Sequence, residues 1–195
     1  MRNMLQPSLT LRPWLTGILF LAGTLGAFPP PLWAQSNARE DDTAGHIELA
    51  AGAFDFSDKG NDAAIFQATY RAPWRFGGGE AGGWFRGFGP YAALAVNTDG
   101  GVFGHGGLYA DLRLGRHWVF LPSVGGGGYS QGQSKDLGGV FQFALGFAAL
   151  YRLERSALLP AGSRVGIQFL HISNGGAHDR NPGANSVFAV LSLPF

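Results

Sequence analysis

The chain reads as an all-β protein, an eight-stranded antiparallel transmembrane β-barrel after a cleaved N-terminal signal peptide. Three observations predict this. Beyond residue 34 the sequence runs in segments of roughly ten residues with two-residue periodicity, separated by Gly, Asp, Asn and Pro clusters. The 195 residues include 32 glycines and 13% aromatics but only 14% charged residues, where soluble domains carry about a quarter. The apolar strand faces hold whole rows of large side chains, while the opposite faces are small or mixed. A soluble sandwich would instead bury its apolar set and solvate a densely polar one.

Residues 1–34 have the layout of an export signal. Arg2 and Arg12 supply positive charge, Trp14 to Phe28 is the apolar stretch, and Pro29-Pro30-Pro31 ends it. Leu32-Trp33-Ala34 offers a small residue for cleavage, so the mature chain is expected to span 35–195 without a membrane helix. Ser36 to Ala44 is a polar lead-in.

The strands then follow in order: His46–Phe56, Ala63–Trp74, Gly89–Asn97, Val102–Gly115, Arg116–Ser130, Leu137–Arg152, Ser163–Ser173 and Ser186–Phe195. Asp58-Lys59-Gly60-Asn61 turns the chain between the first two, and Thr98-Asp99-Gly100-Gly101 between the third and fourth. On the fourth, Leu108, Ala110, Leu112 and Leu114 oppose Tyr109, Asp111 and Arg113. On the sixth, Phe141, Phe143, Leu145, Phe147, Ala149 and Tyr151 share one face. On the last, Val187, Ala189, Leu191, Leu193 and Phe195 do. Glu48, Arg71, Asp111, Arg113 and Arg164 are expected to pair inside the barrel, because charges in a low-dielectric interior require partners. Trp74, Trp84, Phe85, Phe88 and Trp118 suit an aromatic girdle at the periplasmic ends.

Several function classes drop out. A net charge of +1 makes no electrostatic case for a nucleic-acid partner. Without cysteine there is neither a disulfide scaffold nor a thiol nucleophile. Gly125-Gly126-Gly127-Gly128 and Gly77-Gly78-Gly79 lack the lysine and hydroxyl of a phosphate loop and read as crowded strand or turn backbone. His46, His105 and His117 are scattered without metal-ligand spacing, so no metal and no cofactor are expected.

One place carries chemistry. Side chains two apart on a strand point the same way, so His171 and Ser173 stand side by side on the face of Val165, Ile167 and Phe169. With both chain ends periplasmic, the loop 174–184 is extracellular, and the pair lies near the outer rim of the lipid-facing wall. Asn185 has the parity of Val187 and Leu191, so it faces lipid from the adjacent antiparallel strand. A serine becomes a nucleophile when an imidazole takes its proton and a third group holds the other ring nitrogen. Ser173, His171 and Asn185 can fill these roles, with Asn174 and the Gly175-Gly176 backbone as oxyanion donors. His178 and Asp179 in the loop are further polar candidates that strand parity does not place.

The run His171-Ile172-Ser173-Asn174, followed by Asn181-Pro182-Gly183-Ala184-Asn185, resembles the outer-membrane lipid A 3-O-deacylases, the PagL family. The barrel pattern of the whole mature chain agrees with that resemblance, and its specific motif occupies the last hairpin. The resemblance implies His171 as general base, Ser173 as nucleophile, and Asn174 and Gly176 as the oxyanion hole. It implies an esterase that removes an acyl chain from lipid A of lipopolysaccharide, working among outer-membrane lipids without a cofactor. The family's third member is a glutamate after the Asn-Pro-Gly turn. Asn185 stands there instead and can orient a histidine but not oppose its charge, so a slower enzyme is expected. The alternative is a non-enzymatic small outer-membrane barrel, structural or ligand-binding, with a degenerate site. A soluble secreted sandwich is the third option, and a homodimer is left open.

Overall fold

The computed structural model describes residues 44–195 except 60–62, 80–82 and 154–157. The expected signal peptide lies outside the described residues. Eight strands follow one another: β1 (His46–Ala53), β2 (Ala64–Arg71), β3 (Phe85–Asn97), β4 (Val102–Leu114), β5 (Trp118–Ser130), β6 (Phe141–Arg152), β7 (Arg164–Ser173) and β8 (Ala184–Pro194). Each pairs antiparallel with the next, and β1 pairs with β8 to close the barrel. Among the described residues there is no helix.

Several strand boundaries differ from the sequence expectation, each for a local reason. β1 stops at Ala53 rather than Phe56, because Asp55 turns into the left-handed region with φ 46°. β2 stops before Pro73, which has no N–H for the ladder. β3 reaches back to Phe85 across a register shift at Gly87, whose φ is 110°. β6 begins at Phe141, while Leu137 is buried in the preceding loop.

The alternation sorts the side chains as expected for a barrel in lipid. On β6, Gln142, Ala144, Ala148 and Leu150 are buried, while Phe141, Phe143, Leu145, Phe147 and Tyr151 are exposed. Leu49, Phe66, Leu94, Val124 and Ile167 continue this exposed apolar wall. Inside, Arg71 Nε lies 2.9 Å from Glu48 Oε1, and the Arg71 guanidinium sits over the rings of Tyr109 and Tyr91. Asp111 takes Arg113 and, at 3.1 Å, Arg75. Arg164 is buried in the same interior, but no ion pair joins it to a carboxylate among the described residues. The glycine run of β5 is crowded as expected. A Cβ on Gly125 or Gly127 would overlap the carbonyl oxygens of Gly106 and Gly104 on β4.

His46 pairs with Pro194, so the first and last strands begin and end at one end of the barrel. Exposed Trp74, Trp84, Phe88 and Trp118 collect there, with Phe85 between the Trp84 and Phe88 rings. The β1–β2, β3–β4, β5–β6 and β7–β8 connections form the opposite rim. They are tied together: Asn97 Nδ2 donates to Ser134 Oγ at 2.7 Å, and Asn174 Nδ2 to Leu137 O at 3.0 Å. Arg180 pairs with Asp136 at 3.0 Å, and Lys135 with Asp55 and Asp58. This clamped rim is what holds the candidate site.

Candidate functional site

His171 and Asn185 are direct partners in the β7–β8 register. Both point outward and are half-buried, and His171 Nδ1 lies 2.8 Å from Asn185 Oδ1. A carbonyl oxygen only accepts, so this nitrogen carries a proton, and in the neutral imidazole Nε2 is the ring's acceptor. Ser173 sits two residues further along on the same face, opposite Phe143 of β6. No hydrogen bond joins its hydroxyl to His171.

Gly183 completes the wall of the site. Its φ is 60°, and a Cβ built on it would meet His171 Cε1 at 3.2 Å and Ser173 Cβ at 3.7 Å. A glycine here therefore satisfies two demands, a left-handed backbone and a close approach to the pair.

Asn174 follows Ser173 and so has inward parity, and it is fully buried. Its Nδ2 donates to Leu137 O and to Arg180 O, and its Oδ1 accepts the Gly176 N–H at 2.9 Å. The two expected oxyanion donors thus hold the β7–β8 loop together in this arrangement and do not face the His171–Ser173 pair. Asn181 Oδ1 accepts the Asn174 N–H at 3.0 Å, which ties the exposed Asn181 amide next to Ser173. His178 packs over Gly139, and Asp179 lines a polar depression with Asp136 and Arg180. Neither bonds to His171.

Two residues of the site were not anticipated from sequence. Asp55 Oδ1 accepts the Asn185 backbone N–H at 2.9 Å, and Asn185 Nδ2 donates to Ser57 Oγ at 2.9 Å. The expectation that β1 continues to Phe56 hid Asp55, because it makes it an ordinary strand position, and it left Ser57 just past the strand end. The Asp-Phe-Ser-Asp run before a lysine and glycine was the available sign of a turn. Lys135 connects this corner to the β5–β6 loop. Partial burial works against its charge, but the hydrogen bonds and charges of Asp55 and Asp58 hold its ammonium above the ordinary lysine pKa.

An imidazole–hydroxyl contact elsewhere, His46 Nδ1 to Ser192 Oγ at 3.0 Å, is sealed inside the barrel with both residues buried. It has no surface on which a substrate could sit. No cluster of His, Cys, Asp and Glu able to hold a metal occurs among the described residues. The outward pair on β7 is therefore where chemistry and access coincide.

The family model for the lipid A 3-O-deacylases (PagL) matches residues 63–194. No curated protein matches the chain. Among solved structures, the outer membrane enzyme PagL is similar in fold, with a TM-score of 0.58 at 16% identity, covering 77% of this chain and 99% of that one. A designed transmembrane β-barrel covers 78% of this chain and 96% of its own at 10% identity and TM-score 0.43. The Yersinia pestis outer membrane protein Ail covers 77% and 99% at 12% identity and TM-score 0.40. With the family model spanning residues 63–194, β2 to β8 of the closed barrel, the chain belongs to the lipid A 3-O-deacylase (PagL) family of outer-membrane β-barrels.

Proposed function

We propose that the chain is a serine esterase that removes the 3-O-linked acyl chain from lipid A, with Ser173 as nucleophile and His171 as general base. The observation that carries this is the His171–Asn185 hydrogen bond on the lipid-facing wall. It engages Nδ1, so in the neutral ring Nε2 is the atom available to take the Ser173 proton.

In the first half-reaction the Ser173 hydroxyl gives its proton to His171 Nε2 and its oxygen attacks the ester carbonyl carbon. The tetrahedral adduct collapses, His171 returns the proton to the departing sugar hydroxyl, and an acyl-serine remains. In the second, His171 deprotonates a water that attacks the acyl-serine and frees the fatty acid. Protein groups and water supply every proton. The substrate is a membrane lipid, so a site on the outer wall receives it from the side.

The developing oxyanion requires donors. The Asn174 and Gly176 groups that the family resemblance suggests serve this role if the β7–β8 loop rearranges on substrate binding. The exposed Asn181 amide, whose Oδ1 accepts the N–H of the residue after Ser173, is a further candidate donor. Asn185 is neutral where the family carries a glutamate, which favours a lower rate than a charged partner would give.

Committed Asn174 and Gly176 donors also favour a second reading, a non-enzymatic barrel with a degenerate site. Labelling the purified barrel with a fluorophosphonate separates the two. The enzyme gains one covalent adduct by intact mass, lost in Ser173→Ala and much slowed in His171→Ala. A wild-type protein that stays unlabelled overturns the esterase reading.

A further inference from the structure

Among the described residues, Asp55 is the one buried carboxylate of the site corner, and it lies outside residues 63–194 that the family model matches. After Ala53 the chain leaves the ladder and is clamped between the starts of β2 and β8: Phe54 N–H donates to Ala63 O, just before β2, and Phe56 N–H to Asn185 O on β8, both at 2.9 Å. Between them Asp55 is 1% exposed and holds φ 46°. A non-glycine residue in that region is costly unless its surroundings use it.

The hydrogen bonds from Asp55 to His171 have only one consistent direction. An ionised carboxylate has no proton to give. Ser57 Oγ, 3.2 Å from Asp55 Oδ1, must therefore donate to it, which turns a hydroxyl lone pair toward Asn185. Asn185 Nδ2 donates to that lone pair at 2.9 Å, so Asn185 Oδ1 is the atom that faces His171. The imidazole can meet an acceptor only with its Nδ1–H. Asp55 Oδ1 also holds the Asn185 backbone N–H, fixing the residue from which the amide projects.

We propose that Asp55 is a positioning residue for deacylation, setting the His171 tautomer through Ser57 and Asn185 and supplying the negative charge that asparagine lacks. The inference rests on the serine-esterase reading. Lys135 does not cancel that charge, because it is shared between Asp55 and Asp58. Two carboxylates and one ammonium leave one net negative charge behind Asn185. It opposes the imidazolium that forms when Ser173 loses its proton.

The test uses the mature barrel refolded in detergent with 15N-labelled histidine, its fold checked by gel mobility before and after heating. In the wild type the His171 ring nitrogens show the Nδ1–H tautomer. In Asp55→Asn the signal becomes mixed, and kcat on lipopolysaccharide falls roughly 10- to 100-fold with KM changed by less than about 3-fold. In an Asn185→Glu background the same Asp55→Asn change costs less than about 3-fold, since the imidazole then meets a carboxylate directly. Ser57→Ala, which cuts the relay at an exposed link, shifts the tautomer in the same direction if Asp55→Asn does not fold. A folded Asp55→Asn or Ser57→Ala barrel that keeps the wild-type tautomer overturns the proposal. So does an Asp55→Asn loss that is equally large with Glu at 185. If the wild type proves inactive, the esterase reading fails, and the tautomer signals still decide whether Asp55 sets the ring.

Discussion

Asn185 receives His171 Nδ1 on its side-chain oxygen at 2.8 Å, from the position directly opposite in the β7–β8 register. The imidazole is thus oriented by a neutral group, and the first prediction concerns its charge. A carboxylate hydrogen bond exceeds a neutral one by about 1 kcal/mol. Asn185→Glu should raise the deacylation rate about 3- to 10-fold, and Asn185→Ala should lower it at least 10-fold. Fatty-acid release from purified lipopolysaccharide measures both. An Asn185→Glu protein no faster than wild type would mean that the partner's charge does not limit the reaction.

Gly183 has a left-handed φ and lies against the side chains of both His171 and Ser173. Gly183→Val adds a branched Cβ that strains the backbone by about 1–2 kcal/mol and pushes on the His171 ring. The expected outcome is a lowered melting temperature with a larger loss in kcat than in substrate affinity. Equal losses in the two kinetic constants would argue that the glycine serves folding alone.

The exposed apolar wall is a statement about solvent. Ile167 is 63% exposed in the middle of β7. In lipid, Ile167→Lys should cost about 2–4 kcal/mol, whereas on a soluble sandwich it should fall within about 0.5 kcal/mol. Urea unfolding from phospholipid vesicles distinguishes these values.

Inside the barrel, Glu48 and Arg71 neutralise one another at 2.9 Å. Glu48→Leu leaves a buried guanidinium alone and should destabilise by about 3–5 kcal/mol. Glu48→Leu combined with Arg71→Leu should recover much of that loss. The same unfolding measurement reads it, and additive losses would show that the pair is not coupled.

Lys135 ties two rim loops together and has a raised pKa. A group whose folded value lies above its ordinary 10.5 contributes stability that is complete below 10.5 and fades as pH rises through the folded value. Thermal melting of wild type and Lys135→Met should therefore differ by a constant gap below pH 10.5, and the gap should shrink as pH rises from there through the folded value.

The barrel was legible because alternation survives along whole strands: the outward row Phe141 to Tyr151 reads directly off the chain. So was the approach of His171 to Asn185, since a one-residue slip would turn every side chain of β7 or β8 to the other face. Parity also places Asn174 inward, against its expected role beside Ser173, and the structure buries it. Asp55 could not be found this way. It stands 130 residues before Asn185, and only the β1–β8 closure joins them. Periodicity along a strand carries no information about which distant turn will cap it.

The most direct measurement is the mass spectrum of lipid A from cells expressing wild type or Ser173→Ala, against an empty-vector control. The account predicts that wild type removes one ester-linked acyl chain from the 3 position while Ser173→Ala matches the control. A wild-type spectrum identical to the control, or the same loss in Ser173→Ala, would contradict it.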